Sequence, residues 1–364
     1  MKTTRRQALA FRIHAQQLDR PSGSLDDTAV LDLGVQDTGP DGARWALALR
    51  GVDVGAVDEA SLVMAWTIRG APHLYRRGDL PGVLAATAPF SDADAGKRIY
   101  DAAKPLKAAG IGNVEALDAI AGAMRSVVTA PMVKGEVSTA VTALMDEPYK
   151  RRCVPCDAIH LWEMPFRLAA LRAGLELQPG TSPPVLQPVP DLAPAKEIPE
   201  RLDVVRGYLR LLGPATPKLV AGYLDAPVKD VEAHWPEDTE DVTVDGERRW
   251  VLAGDADRLA AAPPAITRLL GPFDLFLQAR DRSLLVDDPT RAKSLWPTIG
   301  RPGAVLDRGE IVGTWRPRKV GSALTVTVDL WSSPTGALGR RLTEQAERLA
   351  AFRGIRLKAV DGAE

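Results

Sequence analysis

The chain has 364 residues, of which 45% are hydrophobic and 26% are charged, which is typical of a folded soluble protein and excludes an intrinsically disordered one. This length exceeds the size at which one hydrophobic core stops growing, so we expect roughly two or three subdomains. The 46 lysines and arginines balance 47 aspartates and glutamates, for a net charge of −1, so binding of nucleic acid would require basic residues sorted onto one face.

The sequence indicates neither a membrane span nor a secretion signal. No apolar run approaches the roughly 20 residues that cross a bilayer, and residues 1–9 lack the apolar centre of a signal peptide. The two cysteines of the chain do not imply a disulfide framework. We therefore expect a cytoplasmic protein that does not bind membranes.

The first segment, residues 1–112, mixes helices with a pair of strands. Apolar spacing predicts a helix over residues 1–18 and another over residues 25–35, which ends in a polar elbow at Gln36-Asp37-Thr38. A turn follows at residues 39–42, because glycine and proline there cannot continue a helix. The apolar run 62–69 predicts a strand that turns and returns.

Residues 113–187 carry the signature of three helices and a hairpin. The helices are expected at residues 113–128, 134–145 and 159–172, and the hairpin at 174–186. This is the order of elements in a winged helix, a module that offers its third helix to a DNA groove and its hairpin to the backbone. We predict the first such module here.

The same order recurs over residues 200–254, where the patterns are sharper. Helices are predicted at residues 201–212, 217–224 and 228–235, and the second of them has Pro217 at its first position. Asp245-Gly246 between two alternating runs then predicts a hairpin. This segment is the second predicted winged helix.

The third module, residues 255–364, is predicted to be rich in strands. Strands are expected at residues 273–277 and 283–286, in a hairpin at 304–315 and at 324–330, followed by an amphipathic helix over 338–352. The predicted fold class is therefore α+β, with tandem winged-helix (helix-turn-helix) modules, a β-rich winged-helix-like third module and a closing C-terminal helix.

The elbow is a candidate for chemistry at a glycosidic bond. Such hydrolysis needs an acceptor near the anomeric carbon, to position water and to stabilise an oxocarbenium-like transition state. The side chains of Gln36, Asp37 and Thr38 could provide it. The same residues are also explained by a turn with side-chain to backbone hydrogen bonds, and residue types alone favour that interpretation.

Cys153 and Cys156, with His160 four residues further on, have a spacing known from zinc and redox sites. A tetrahedral structural site needs a fourth ligand, and the chain has no further cysteine to supply it. We therefore predict two buried thiols that precede a helix, and we expect neither a metal nor a cofactor.

His73 follows the predicted strand and lies close in sequence to Arg69. A histidine there could serve as a general acid or a phosphate contact, or as a structural hydrogen-bonding group. The chain has no Walker loop, Gly-x-Gly-x-x-Gly, His-Glu-x-x-His or Gly-x-Ser-x-Gly motif. ATPase, dehydrogenase, zinc protease and α/β-hydrolase functions therefore lose their usual support.

Several segments resemble a bacterial winged-helix family that contains the AlkZ/YcaQ-type DNA glycosylases. They are residues 205–251, with Gly213-Pro214-Ala215-Thr216-Pro217 and Asp245-Gly246-Glu247-Arg248-Arg249-Trp250; residues 269–274; Arg280-Asp281-Arg282; residues 305–316, ending Gly313-Thr314-Trp315-Arg316; and Ile68-Arg69-Gly70-Ala71-Pro72-His73-Leu74. The resemblance covers nearly the whole chain. It implies tandem winged helices around a DNA-sized channel, and hydrolysis of the N-glycosidic bond of alkylated purines without a metal or cofactor.

The catalytic motif of that family is Gln-apolar-Gln or Gln-apolar-Asp, and Gln36-Asp37-Thr38 stands in its place. Aligned on the glutamine, Thr38 takes the second catalytic position and Asp37 the apolar one. Aligned on the aspartate, Val35 replaces the glutamine. The resemblance implies that Gln36 holds water or the sugar, and that Asp37 is an electrostatic stabiliser or general base.

The resemblance further implies double-stranded DNA as the partner, and we expect a monomer. The candidate DNA-binding residues are Arg69, His73, Lys134, Lys150, Arg151, Arg152, Arg248, Arg249, Arg316, Arg318 and Lys319. The main hypothesis is a monofunctional DNA glycosylase. The alternatives are a non-catalytic DNA-binding protein of the same architecture and a protein-interaction scaffold, which only the near-neutral charge favours.

Overall fold

The computed structural model describes residues 1–39 and 41–363, except the side chain of Val320. Pro40, which belongs to the turn predicted at residues 39–42, lies outside the described residues. None of the described helices is long and apolar enough to cross a membrane. The elements up to residue 112 are β1 (Lys2–Thr3), α1 (Arg5–Ala15), α2 (Val30–Leu33), β2 (Val35–Gln36), α3 (Gly42–Leu49), β3 (Leu62–Trp66), β4 (Pro72–Arg76), α4 (Leu80–Ala86), α5 (Asp92–Arg98) and α6 (Ala103–Ala108).

The middle of the chain contains two successive groups of helices and strands. The first group comprises α7 (Asn113–Val127), β5 (Met132–Val133), α8 (Lys134–Leu144), β6 (Lys150–Cys153), β7 (Ala158–Leu161), α9 (Glu163–Arg172), β8 (Leu175–Leu177) and β9 (Val185–Pro188). The second group comprises α10 (Val204–Leu212), α11 (Pro217–Leu224), α12 (Val228–Ala233), β10 (Thr239–Val244) and β11 (Glu247–Leu252).

The C-terminal part is dominated by an extended sheet and a long helix. Its elements are β12 (Thr267–Leu270), α13 (Arg282–Leu285), α14 (Pro289–Leu295), β13 (Gly303–Asp307), β14 (Glu310–Val320), β15 (Ala323–Leu330), α15 (Gly336–Phe352) and β16 (Arg356–Asp361). The five strands pair in the order β12-β13-β14-β15-β16, and α15 lies against them through Leu342, Ala346 and Leu349, which are fully buried. The predicted hairpin at 304–315, the strand at 324–330 and the closing helix are confirmed.

A six-stranded sheet joins the first two predicted segments. Its order is β2-β4-β3-β8-β9-β5, so strands that precede residue 112 pair with strands that follow it. The bridge between them pairs Met64 of β3 with Leu177 of β8. The domain boundary predicted near residue 112 therefore falls inside one continuous sheet.

The elements predicted over residues 200–254 are confirmed, because their signals are local. Asp203 accepts hydrogen bonds from the backbone N–H groups of Val205 and Arg206 at the start of α10. Thr216 caps α11 in the same way. The turn between β10 and β11 has positive φ at both Asp245 and Gly246, as a two-residue hairpin turn requires.

Several predicted elements are wrong, and each error reflects a tertiary contact. The helix expected at residues 1–18 begins only at Arg5, because Lys2–Thr3 pairs with β10 as a parallel strand. The helix expected at 25–35 is a single turn followed by β2, which pairs with β4. The strand expected at 283–286 is the short helix α13, and residues 273–277 form no strand but a turn of 3₁₀-helix.

Buried ion pairs hold the segments together. Asp281 binds Arg12 of α1 through two hydrogen bonds of 3.0 and 2.7 Å, and it also binds Arg249 of β11. Arg12 donates further to the Gly213 carbonyl over 2.9 Å. Burial favours the neutral carboxyl of Asp281, but the two arginines outweigh it and hold its pKa below the usual value. The stability that this carboxylate contributes is therefore present at neutral pH and is lost as the pH falls through its lowered pKa.

The substitution Asp281→Asn tests the contribution of these buried ion pairs to stability. It keeps the shape of the side chain but leaves the buried Arg12 without a carboxylate partner and leaves Arg249 with Glu247 alone, so we expect a loss of about 3–5 kcal/mol in the free energy of unfolding. Urea denaturation measures it. The control is Asp241→Asn, which breaks an exposed pair with Arg248 and should leave the midpoint unchanged. If Asp281→Asn changed the free energy of unfolding by less than about 1 kcal/mol, the buried ion pairs of Asp281 would not be what holds these segments together.

Candidate active site

The polar elbow is built on the edge strand β2. Gln36 ends this strand opposite His73 of β4. The backbone N–H of Asp37 donates to the Pro72 carbonyl over 2.8 Å, so the extended conformation continues past Gln36. Because side chains alternate along a strand, Gln36 and Thr38 face one side and Asp37 the other.

Gln36 and Thr38 line a cavity of about 230 Å³. The amide nitrogen Nε2 of Gln36 donates to Oγ1 of Thr38 over 3.0 Å. Trp45 of α3, Phe273 and Trp315 of β14 provide aromatic walls. The cavity thus lies between the elbow, α3 and the five-stranded sheet, with one polar pair set among aromatic side chains.

The aromatic walls are fixed by hydrogen bonds to the sheet. The indole nitrogens of Trp45 and Trp315 each donate over 2.8 Å, to the carbonyls of Leu269 and Leu270 respectively. Both rings are buried, so these bonds satisfy their N–H groups and fix their orientation. The shape of the cavity is therefore set by the fold before any ligand binds.

The carboxylates of the cavity are engaged by arginine. Of the cavity-lining residues that the structure describes, Asp41 and Asp274 are acidic. Asp274 binds Arg50 through two hydrogen bonds of 2.9 Å, and Asp41 accepts from Nε of Arg353 over 2.7 Å. Both oxygens of each carboxylate thus already accept hydrogen bonds from an arginine and are not free to receive a proton from water. Neither aspartate is therefore a strong candidate for a general base.

Asp37 points away from this cavity. Its Oδ1 accepts the backbone N–H of Ala43 over 2.8 Å, close to the N-terminus of α3, where a negative charge is favourable. Its side chain lines a separate hollow of about 500 Å³. The position does not support the predicted role of Asp37 as stabiliser or general base beside Gln36. The geometry therefore fits the alignment of the family's catalytic motif on Gln36. In that alignment Thr38 takes the second catalytic position and Asp37 the apolar one.

Four arginines, here called the arginine cluster, lie close enough for their charges to act on one another, and one of them lines the cavity. They are Arg69, Arg280, Arg282 and Arg301. Burial lowers the pKa of Arg301, and the positive charges of Arg282, Arg69 and Arg280 lower it further. Arg301 lines the cavity itself, with its guanidinium 4.8 Å from the Phe273 ring centre.

The arginine cluster is only weakly neutralised. Arg280 lies 3.9 Å from the Asp225 carboxylate, and within the described part of the chain the other three arginines form no ion pair. Arg69 is positioned by the Tyr223 carbonyl, which accepts from it over 2.9 Å, and by the Tyr223 ring. Positive charge that is held in place without a carboxylate is suited to binding an anion such as a phosphate.

His73 is enclosed behind the elbow. Its side chain is 1% exposed, and its Nδ1 lies 2.9 Å from the Ala71 carbonyl and 3.1 Å from Thr67 Oγ1. Burial, with the charge of Arg69, lowers its pKa to about 3. A neutral, enclosed imidazole can make neither the phosphate contact nor the acid catalysis predicted for it. Its contacts with Thr67 and Ala71 instead tie the start of β4 to the turn that connects β3 with β4.

The structure separates the other predicted DNA-binding residues into three groups. Arg249 is buried and paired with Asp281, a position that does not favour the predicted contact with DNA. Lys134, Lys150, Arg152 and Arg248 are paired with Glu163, Glu147, Asp157 and Asp241 respectively. Arg151 packs over the Trp162 ring, and Arg316, Arg318 and Lys319 are exposed on β14.

The third helix of the second module lacks the charge expected of a DNA-reading helix. In α12, Lys229 is outnumbered by Asp230 and Glu232. The neighbouring hairpin has its exposed arginine, Arg248, bound to Asp241 over 2.8 Å. This surface is therefore a poor match for phosphates, and the arginine cluster is the better one.

Local patterns did not reveal Arg280, Arg282 and Arg301 as site residues. Arg280 and Arg282 flank the buried Asp281. This tripeptide is one of the segments that resemble the glycosylase family, but the resemblance implies no role for it. Nothing in the sequence around Arg301 marks it. Its place beside the cavity depends on the pairing of β13 with β14, which only the fold provides.

Comparisons with known proteins agree with this architecture. The model of the family described as "DNA glycosylase AlkZ-like" matches residues 30–352. The solved structure of Streptomyces sahachiroi DNA glycosylase AlkZ is similar, with a TM-score of 0.73 and 22% sequence identity over 99% of this chain and 100% of that chain. At that identity the likeness shows a shared mixed α+β fold. No curated protein matches the chain.

The ionisation of His73 is directly measurable. Because its pKa in the folded protein is about 3 against an ordinary 6.5, nitrogen-15 NMR should show one neutral tautomer from about pH 8 to pH 5. His73→Gln identifies the resonance. As the pH falls below about 6.5, the unfolded chain gains a proton that the folded one does not, so stability should decline. A titration of His73 near pH 6.5 would contradict its enclosure.

Proposed function

The chain belongs to the AlkZ-like DNA glycosylase family, and on that premise we propose that it binds double-stranded DNA and hydrolyses the N-glycosidic bond of alkylated purines. The observation that carries the proposal is the Gln36–Thr38 pair, which lines a preformed cavity beside the arginine cluster. An activity of this kind needs a place for a nucleotide, a group that holds water and a cationic surface for the backbone.

The hydrogen bond between the two side chains determines what they can do. Gln36 donates through its amide nitrogen to Thr38 Oγ1, which leaves the amide oxygen of Gln36 as an acceptor and the hydroxyl proton of Thr38 as a donor. Together these groups can hold one water molecule or the sugar. Neither group is basic at neutral pH, so the pair does not remove a proton from the water before it attacks. Instead, the two groups orient the water, and their dipoles stabilise the positive charge that develops on the sugar.

Such a site favours a substrate whose leaving group departs readily. A purine alkylated on a ring nitrogen such as N7 carries a positive charge, and it leaves as a neutral base when the N-glycosidic bond breaks. The reaction then needs little help from an acid, in agreement with a cavity whose carboxylates are both bound to arginine. An undamaged purine would require protonation, which the Gln36–Thr38 pair cannot supply.

DNA binding is assigned to the arginine cluster and to the exposed side of β14. The cluster lies beside the cavity, and Arg316 lines that cavity while donating to the Gly300 carbonyl over 2.6 Å. Arg318 and Lys319 continue along the same strand towards its turn with β15. We propose that the winged-helix-like modules mainly support this surface, because α12 carries more acidic than basic residues and the two arginines of the β10–β11 hairpin are already paired.

A non-catalytic DNA-binding protein is the second candidate, and Thr38 is the observation that favours it. A hydroxyl replaces the amide or carboxylate of the related motif, and it already accepts a hydrogen bond from Gln36. If this pair cannot activate water, the arginine cluster still binds phosphates. Binding to alkylated duplex without release of the base would identify this case.

Release of N7-methylguanine from duplex DNA tests the catalytic proposal. Under single-turnover conditions, Gln36→Ala should lower the rate constant about 10²-fold, because it removes the group that positions water. Thr38→Val should also lower the rate, since it removes the hydroxyl but keeps the shape.

The matched controls are Gln178→Ala, which lies at the neighbouring hollow, and Asp37→Asn, which alters the cap of α3. Both should keep the rate within a few fold of the parent protein. If Asp37→Asn were inactive while folded and Gln36→Ala retained full activity, the assignment of roles would be wrong. If the parent protein released no base, the non-catalytic alternative would stand.

The salt dependence of DNA affinity tests the binding surface. Phosphate contacts release counterions, so the logarithm of the association constant should fall linearly with the logarithm of salt concentration. Arg318→Ala should reduce the magnitude of that slope by about 1, the change expected when one phosphate contact is lost. Arg308→Ala, at the exposed turn between β13 and β14, is the control and should not change it. Equal slopes for the parent protein and Arg318→Ala would exclude this strand as a DNA contact.

A further inference from the structure

The hairpin formed by β6 and β7 places three metal-ligating residues together. Residues 159–172 were predicted to be one helix, but residues 158–161 form β7, and α9 starts only at Glu163. Because β7 is a strand that pairs with β6, His160 lies beside β6 and close to the cysteines. Cys153 pairs with Ala158, and Arg151 pairs with His160.

The register of the hairpin explains why the three ligands converge. Cys153 stands two residues after Arg151 on β6, and His160 lies directly opposite Arg151, so Cys153 and His160 share one face. Cys156 returns over that face from the turn. The two sulfur atoms are 3.4 Å apart, and both lie within 4.8 Å of the His160 ligand nitrogen.

We propose that Cys153, Cys156 and His160 bind one zinc ion. Two thiolates and an imidazole are a preferred ligand set for zinc, with zinc–sulfur distances of about 2.3 Å and zinc–nitrogen distances of about 2.0 Å. Tetrahedral geometry at these lengths sets the sulfur atoms about 3.8 Å apart. The observed separation therefore needs to open by only a few tenths of an ångström.

The exposure of these residues argues against simpler explanations. The sequence predicted buried thiols that precede a helix, but Cys156 is exposed and Cys153 is only partly covered, so core packing does not account for them. A disulfide between the two cysteines would not explain why the His160 ring nitrogen lies within 4.8 Å of both sulfur atoms. The tip of the hairpin is open to solvent, since Val154 is 84% exposed and Cys156 is exposed, so a water molecule can complete the tetrahedron.

The ion would supply stability that this hairpin lacks. β6 and β7 form an isolated two-stranded sheet, which is marginally stable by itself in water. Its base is anchored where Trp162 donates its backbone N–H to the Tyr149 carbonyl over 3.2 Å. Zinc at the opposite end would close the hairpin and hold Arg151 and Arg152, which it carries, in a defined position.

Metal content and cobalt spectroscopy of the full-length chain, purified under reducing conditions, test the proposal. We expect one zinc per chain, and cobalt substitution should produce thiolate-to-metal charge-transfer bands and the intense visible bands of a tetrahedral site. Cys156→Ser and His160→Gln should each lose the bound metal and the cobalt spectrum. Because the site lies at an exposed tip, both variants should keep the thermal unfolding temperature of the rest of the protein.

Val154→Ser is the matched control, since it changes the exposed residue between the two cysteines without removing a ligand, and it should retain the metal. Trypsin cleavage after Arg152 should become faster when a chelator removes the ion. A reduced parent protein that binds neither zinc nor cobalt would overturn the proposal. So would a metal content that His160→Gln and Cys156→Ser leave unchanged. These measurements do not depend on glycosylase activity.

Discussion

The structure depends on the buried pairing of Arg50 with Asp274. Arg50 directly follows α3, the helix after the elbow, and both side chains are almost completely enclosed. Asp274 lies in the wall of the cavity and caps the 3₁₀ turn beside it through the backbone N–H of Phe276. This ion pair, together with the bond from Trp45 to the Leu269 carbonyl, therefore fixes the distance between the elbow and the five-stranded sheet. Charge is expensive to bury, and it is tolerated here because the pair is bidentate and further hydrogen bonded.

Ion pairing also explains how a nearly neutral protein can present a cationic surface. The net charge is −1, but many aspartates are held by particular arginines, such as Asp281 by Arg12 and Asp41 by Arg353. Acidic groups used in this way cannot neutralise the arginine cluster. The balance of charges in the sequence is therefore a poor guide to the local charge, because the arginine cluster concentrates positive charge around Arg301 in the cavity wall.

The predictable parts of the fold were those with local signals. The helices over 201–235 carry caps and buried stripes, and Asp245-Gly246 marks its own turn, so both were recognised from the sequence. The elbow was recognised from the sequence, but which of its side chains face the cavity was not. That Gln36 and Thr38 share a face, with Asp37 opposite, follows from pairing with β4, and this contact lies nearly forty residues away in the chain. His160 was misjudged for the same reason, because an apolar run cannot distinguish a strand from the start of a helix.

The most direct measurement of the central claim is a crystal structure of the protein bound to duplex DNA that contains a cationic azasugar in place of the damaged nucleotide. This group mimics the charge that develops on the sugar during hydrolysis. We expect its ring nitrogen in the cavity, within hydrogen-bonding distance of Gln36 or of a water held by Gln36 and Thr38, and the flanking phosphates against the arginine cluster. An azasugar bound in the hollow beside Asp37, or DNA lying along α12, would contradict this claim.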